Sequence, residues 1–341
     1  MRKKLVSLTF VSCIILTSIF SSFTSKVFAS EFNFSVETVL PENQRDAAKT
    51  YFDLRMNPSQ TQELEITLCN DTTEDVKINP EIHSATTNSN GVVEYGNTQN
   101  QKDSSLLYQM EDLVTTEKEV VIPAKGTYPL KLHVKMPDEP FDGIIAGGIT
   151  LQEANDTGKS KDKGLSITNK YAYVVAMVFN ENDNVVTPQL KLNKVFPDQA
   201  NARNVIKANI QNVMPIYMNQ ISIDAKIMKK GSEEVVYQFN KDGMQMAPNS
   251  NFDLPISLNG EKMLAGEYTL ALTASSKGEI WNWRKDFKID DQSAKKLNET
   301  DVSITKDSTW LYVALGLLLV CSSFGIFFLW NRKKKRNQMN P

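Results

Sequence analysis

Residue types that can break bonds occur in this chain, but not in the company that bond breaking needs. The Ser-x-x-Lys spacing of penicillin-binding enzymes appears at Ser160/Lys163, Ser293/Lys296 and Ser303/Lys306, each time in polar sequence and without a Lys-Thr-Gly partner. Three hits in such sequence measure how unspecific the pattern is. The only histidines, His83 and His133, stand at no spacing from Cys69 that makes a nucleophile and base, and two imidazoles do not make a His-rich metal site. Asn182-Asp183-Asn184 resembles part of a calcium loop but lacks the alternating acids, the glycine and the closing glutamate, so it reads as a turn. Gly143-x-x-x-Gly147-Gly148 lacks the Lys-Ser/Thr of a phosphate loop and reads as close strand packing or a bulge. Carboxylates are so numerous that some pair must lie at glycosidase distance, and a pair alone is therefore uninformative. The expectation is a protein with no catalytic, cofactor or metal site.

Four residues remain as candidates for contact with a partner. Trp281 and Trp283 share a strand face with Phe287, and Met244 and Met246 alternate in another strand. Aromatic rings anchor interfaces and sugar platforms, and methionines make adaptable contacts. Core packing accounts for the same alternation, and the two readings stand side by side.

The elements that must position these residues have a period of two. Leu64, Ile66 and Leu68 alternate with Glu63, Glu65 and Thr67; Leu130, Leu132, Val134 and Met136 alternate with Lys131, His133 and Lys135. Residues 171–179 are apolar on both faces and suit a central strand, reached from the strand at 143–151 through a polar loop at 153–166. After the turn formers at 180–184 the same grammar resumes with Ile206, Ala208 and Ile210, then Ile221, Ile223, Ala225 and Ile227, then Tyr268, Leu270, Leu272 and Ala274. No long helical period precedes residue 310. The predicted fold is an all-β ectodomain of two immunoglobulin-like β-sandwich domains in tandem, residues 30–183 and 184–291, followed by one C-terminal transmembrane helix. Residues 292–309 lack an apolar face and read as a stalk. Gly-x-Tyr-x-Leu-x-Leu occurs at 126–132 and again at 266–272, but strand order pairs 123–132 with 248–258 and 143 onward with 266 onward.

Both termini address a membrane. From Trp310 to Trp330 the chain carries no charge, long enough as a helix to cross about 30 Å of hydrocarbon, with an indole at each end for the headgroup layer. Arg332, Lys333, Lys334, Lys335 and Arg336 follow as a stop-transfer cluster, which assigns residues 331–341 to the cytoplasm. Residues 1–29 read as a signal peptide: Arg2, Lys3 and Lys4 precede an apolar run, and Val27-Phe28-Ala29 sets cleavage between Ala29 and Ser30. A lipidated Cys13 is a rival reading, against which Phe10 stands where a lipobox wants leucine.

The whole chain balances 38 basic against 40 acidic residues. Setting aside the nine basic residues of the signal segment and the tail cluster leaves 29 against 40, a net −11. An acidic ectodomain argues against nucleic acid and against electrostatic clinging to anionic lipid or wall polymers. Cysteines at 13, 69 and 321 allow no disulfide within the ectodomain, the habit of a bacterial surface protein, and the membrane anchor suggests a Gram-positive cell.

The strings Tyr51-Phe52-Asp53-Leu54, Gly147-Gly148-Ile149, Met244 through Phe252 and Gly266-Glu267-Tyr268-Thr269-Leu270, with a span and basic tail behind them, resemble the WxL-interacting proteins of Gram-positive bacteria. Met-Gln-Met-Ala-Pro-Asn-Ser at 244–250 is the most specific of them. The resemblance implies a peptidoglycan-binding first domain, a host-binding second domain, a domain boundary near residue 160, and wall-associated WxL proteins as partners. It implies a non-enzymatic scaffold at the cell membrane with its ectodomain in the wall. An adhesin for host matrix proteins is the alternative, and a wall hydrolase is the enzymatic rival.

Overall fold

The computed structural model describes residues 33–96, 102–154, 171–304, 316–318 and 320–325. The first sandwich contains β1 (Ser35–Val39), β2 (Phe52–Arg55), β3 (Thr61–Cys69), β4 (Val76–Ser84), β5 (Thr86–Thr87) and β6 (Val93–Glu94). A one-turn helix α1 (Met110–Leu113) leads into β7 (Val114–Thr115), β8 (Val120–Ile122), β9 (Thr127–Lys135), β10 (Ile145–Glu153) and β11 (Ala172–Asn180). The second contains β12 (Leu190–Ala200), β13 (Arg203–Asn212), β14 (Met218–Lys229), β15 (Val235–Met246), β16 (Ser250–Ser257), β17 (Gly266–Ser276), β18 (Glu279–Ile289) and helix α2 (Asp291–Thr300).

Alternation builds each core. On β3 the side chains of Leu64, Ile66 and Leu68 are buried, and on β9 Leu130, Leu132 and Val134 are, while the Lys and His between them stay exposed. The two strands run antiparallel with Leu64 opposite Leu132 and Ile66 opposite Leu130. Each fully buried Leu or Ile contributes roughly 1.5–3 kcal/mol, which is why a one-residue slip of register is not tolerated.

Sheet order repeats between the halves. The first sandwich has sheets β1-β3-β9-β7 and β2-β11-β10-β4-β8; the second has β12-β13-β16 and β15-β14-β17-β18. Superposed by order, β9 answers β16 and β10 answers β17, the assignment that strand order favours over the shared Gly-x-Tyr string. Strand β11 pairs with β10 on one side and, over Met177 to Asn180, with β2 in parallel on the other, so the 171–179 segment belongs to the first sandwich. Its outer face is covered only in part, with Val178 buried and Val174 46% exposed. The chain then crosses to the second sandwich in residues 181–189.

The segment expected to begin a stalk at residue 292 is instead helical over Asp291–Thr300 and packed on the second sandwich. Asp290 caps it by accepting from Ser293 N at 2.8 Å, Ala294 is buried, and Leu297 rests on the core. Asp301 takes the backbone N–H of Asn204 at 2.7 Å and Val302 N donates to Ala202 O at 3.0 Å. Two apolar positions suffice here because the rest of the docking is by polar caps, which hydropathy does not register.

Residues 316–318 and 320–325 are helical and exposed, and among the described residues no helix is long and apolar enough to cross a membrane. The span ends Trp310 and Trp330, the cluster at 332–336, Ala29 and Ser30 lie outside the described residues.

Candidate functional site

The most distinctive string of the sequence lies where the two sandwiches meet. Met244 and Met246 point to one side of β15 and are 2% and 1% exposed, in the core of the second sandwich. They are therefore not open contacts for an outside partner, contrary to the candidate reading: the strand's inward face is covered by its own core, and alternation alone does not reveal what lies across. Between them Gln245 donates its backbone N–H to Gly91 O at 2.7 Å, a bond from the second sandwich to the first. Gly91 has φ +68°, which favours glycine, and a Cβ there would stand 2.9 Å from Met244 Cβ, which has less room to move than the end of that side chain.

From Ala247 onward the string runs along the seam. Ala247 N donates to Thr87 Oγ1 at 3.0 Å, and Thr87 Oγ1 lies 2.7 Å from Ser250 Oγ. Asn249, in the left-handed region at φ 46°, donates to Val213 O at 3.1 Å and to Ser105 Oγ at 3.3 Å. Asp103, only 7% exposed, is the hub: it accepts from Ser105 N at 2.8 Å, Gln211 Nε2 at 2.8 Å and Asn251 Nδ2 at 2.5 Å. Burial pushes its carboxyl up, but the hydrogen bonds from Ser105, Asn251 and Gln211 outweigh that and hold it below the usual carboxylate range. Farther along, Tyr95 OH meets Tyr217 OH at 3.0 Å over a small cluster of Ala85, Ala146 and Ala247. Burial drives the Tyr217 phenol far above its ordinary value, so it stays neutral and available as a donor. Gly143, at φ +86°, passes so close that a Cβ would lie 2.3 Å from Pro215 O, and the next residue, Ile144, donates to that same oxygen at 2.8 Å.

Two cavities open on this seam. A polar one of about 110 Å³ is bordered by His83, Gln109, Glu111 and Asn251. There Glu111 Oε1 accepts from Ser84 N at 3.0 Å, and Ser84 Oγ accepts from Met110 N at 2.9 Å. The other, of about 420 Å³, is a groove lined mainly by apolar side chains of both sandwiches.

Trp281 and Trp283 lie elsewhere. They are half-buried on β18, at the opposite edge of the four-stranded sheet from β15, opposite Ala274 and Leu272 and packed on the second core. The structure does not bring the two tryptophans and the two methionines together. His133 is exposed and pairs with Glu63 at 3.6 Å; His83 pairs with Glu81 at 3.3 Å. Ser293 sits in the first turn of α2, where its hydroxyl donates to the capping Asp290 carboxylate at 2.7 Å. Among the described residues no group of three or more His, Cys, Asp and Glu could hold a metal. Asp103, Gln211, Thr87 and Tyr217 are absent from the candidates. Gln245, Ala247, Asn249, Ser250 and Asn251 carry a signal, their place in the string from 244.

The chain matches two family models: "WxL Interacting Protein, peptidoglycan binding domain" over residues 34–153, and "WxL Interacting Protein, host binding domain" over 162–299. The second match starts ahead of β11, a strand that pairs in the first sandwich. No curated protein matches the chain. Among solved structures, the YadV chaperone shares 12% identity at a TM-score of 0.31, covering 75% of this chain and 100% of that one. A chain of the Salmonella enterica SafA pilin and SafB chaperone complex shares 9% at 0.29, covering 76% and 99%. One of the Acinetobacter baumannii CsuC-CsuE complex shares 11% at 0.32, covering 67% and 93%. The sandwich architecture stands on the strand pairings above.

Proposed function

The chain belongs to the family of WxL-interacting proteins, and from that premise we propose that it is a non-enzymatic scaffold tying wall-associated WxL proteins, and peptidoglycan, to the cell membrane. Its two domains are those of a surface binding protein, one of the peptidoglycan-binding and one of the host-binding type. The seam carries the proposal: the string most specific to the family is spent on locking the sandwiches together, so the two binding units act as one arm. An arm of fixed geometry presents both faces at once and avoids the ordering cost that a loose linker adds to each binding event. Anchoring follows from the uncharged run at 310–330 and the basic cluster after it. The acidic surface makes nonspecific attraction to anionic wall polymers weak, so glycan binding should change little with salt.

Full-length protein used to capture partners from wall extracts tests the reading. Recovery of WxL proteins supports the scaffold, recovery of host matrix protein alone favours an adhesin, and recovery of neither removes the claim. Muropeptide release from walls by the purified protein would replace the scaffold with a hydrolase, and an ectodomain resistant to protease on wall-stripped cells would defeat the topology.

A further inference from the structure

We propose that the apolar groove on the seam seats an extended segment of the partner that carries a tryptophan and a leucine two positions apart. This rests on the proposed function for the class of partner, and adds the place where it docks. At about 420 Å³ the groove lies inside the roughly 300–1,000 Å³ of pockets that enclose a compact ligand. Leu107, Tyr108, Phe141 and Ile144 line it from the first sandwich, and Pro215 and Pro248 from the second. Leu107 is 83% exposed, and the Tyr108 and Phe141 rings stand 6.0 Å apart. A single exposed leucine is ordinary, but one that continues an apolar groove is part of a recognition patch.

Shape, charge and family select the occupant. Along an extended strand, residues i and i+2 project to the same face about 6.6 Å apart, so an indole and an isobutyl group can enter one groove together. The charged residues of the lining are Glu139 and Asp142, with no Lys or Arg among them. Asp142 already accepts from Asn182 at 3.0 Å and Asn184 at 2.8 Å, whereas Glu139 is exposed, so a basic residue flanking the pair is favoured and would steer its approach. The chain cannot fill the groove with such a pair itself. Two positions after its four tryptophans stand Trp283, Lys285, Tyr312 and Arg332, so neither its own segments nor a second copy supplies Trp-x-Leu. The family is described by its interaction with WxL, a tryptophan and a leucine one residue apart in between. Because the walls come from both sandwiches, the segment binds only the docked arrangement and holds it.

The test uses full-length protein in detergent and a purified WxL-domain protein, with binding followed by biolayer interferometry. Leu107→Glu is expected to weaken binding at least about tenfold and Glu139→Lys to slow association at low salt, with peptidoglycan sedimentation unchanged in both. Binding by Leu107→Glu equal to that of the wild type overturns the site and leaves the proposed function standing. Failure of the wild type to bind defeats both. If Leu107→Glu changes only self-association, the groove is a contact between copies and the proposal falls. Should Leu107→Glu lower the unfolding midpoint, competition by a lysine-flanked Trp-x-Leu peptide decides. A peptide with alanine at both positions that competes equally well overturns the site.

Discussion

The second sandwich carries two stretches that look alike in sequence and end in different surroundings. Met244 to Met246 and Trp281 to Phe287 both alternate large apolar with polar residues on edge strands of the same sheet, β15 and β18, and the first stretch runs on through the link to β16 as far as Asn251. The first is closed over by the other sandwich, and its polar positions become bonds between domains, Gln245 to Gly91 and Asn251 to Asp103. Among the described residues the second has no domain across it; its tryptophans sink halfway into their own core and Ile280 stays 64% exposed. An edge strand is thus a structural element when something docks on it and an open surface when nothing does.

The sharpest way to break this contrast is Gly143→Ala. A methyl group at φ +86° pressed against Pro215 O forces the sandwiches apart, at an expected cost of about 3 kcal/mol or more. Urea unfolding should then show two transitions in place of one; a single unshifted transition would mean the seam does not couple the domains. Asp103→Ala comes next. It strands the Gln211 and Asn251 donors, and about 1–3 kcal/mol should be lost. The same carboxylate sets a pH dependence. Its folded pKa is depressed, so its contribution is complete above the unfolded value of about 3.9 and fades as pH falls below that through the folded value. The variant's acid unfolding should lack this component, and identical acid profiles for both proteins would contradict the hub.

Trp283→Ala sharpens the other side of the comparison. Half-buried, it should cost about 1–2 kcal/mol, less than the 3–5 typical of a fully buried ring. If capture of a wall partner falls while unfolding barely moves, β18 is a binding surface in its own right; a purely structural loss assigns it to the core. Ile280→Thr should be nearly silent, within about 0.5 kcal/mol by thermal unfolding. A larger drop would show that something covers that edge.

Sequence alone determined the strands and the class of fold. A period of two at Leu64 to Leu68 or Leu130 to Val134 is a local property, fixed by the pleat, and it survives any arrangement of sheets. It also identified the string from Met244 as special, and separated the sandwich sequence from the apolar run at 310–330. Tertiary structure decided the rest. Whether Met244 faces a partner or a core depends on the strands that pack over it, and Gly91, 153 positions away in the chain, also comes up against its side chain. Asp103 becomes a hub because Gln211 and Asn251 come from another domain to meet a carboxylate that no local pattern marks. The helix at 291–300 forms where hydropathy shows mostly polar residues, because Asp290 caps its first turn at Ser293 and Asn298 and Asp301 find backbone partners on the sandwich it packs against. Periodicity records which face of a strand avoids water, and only the folded chain determines what stands opposite that face.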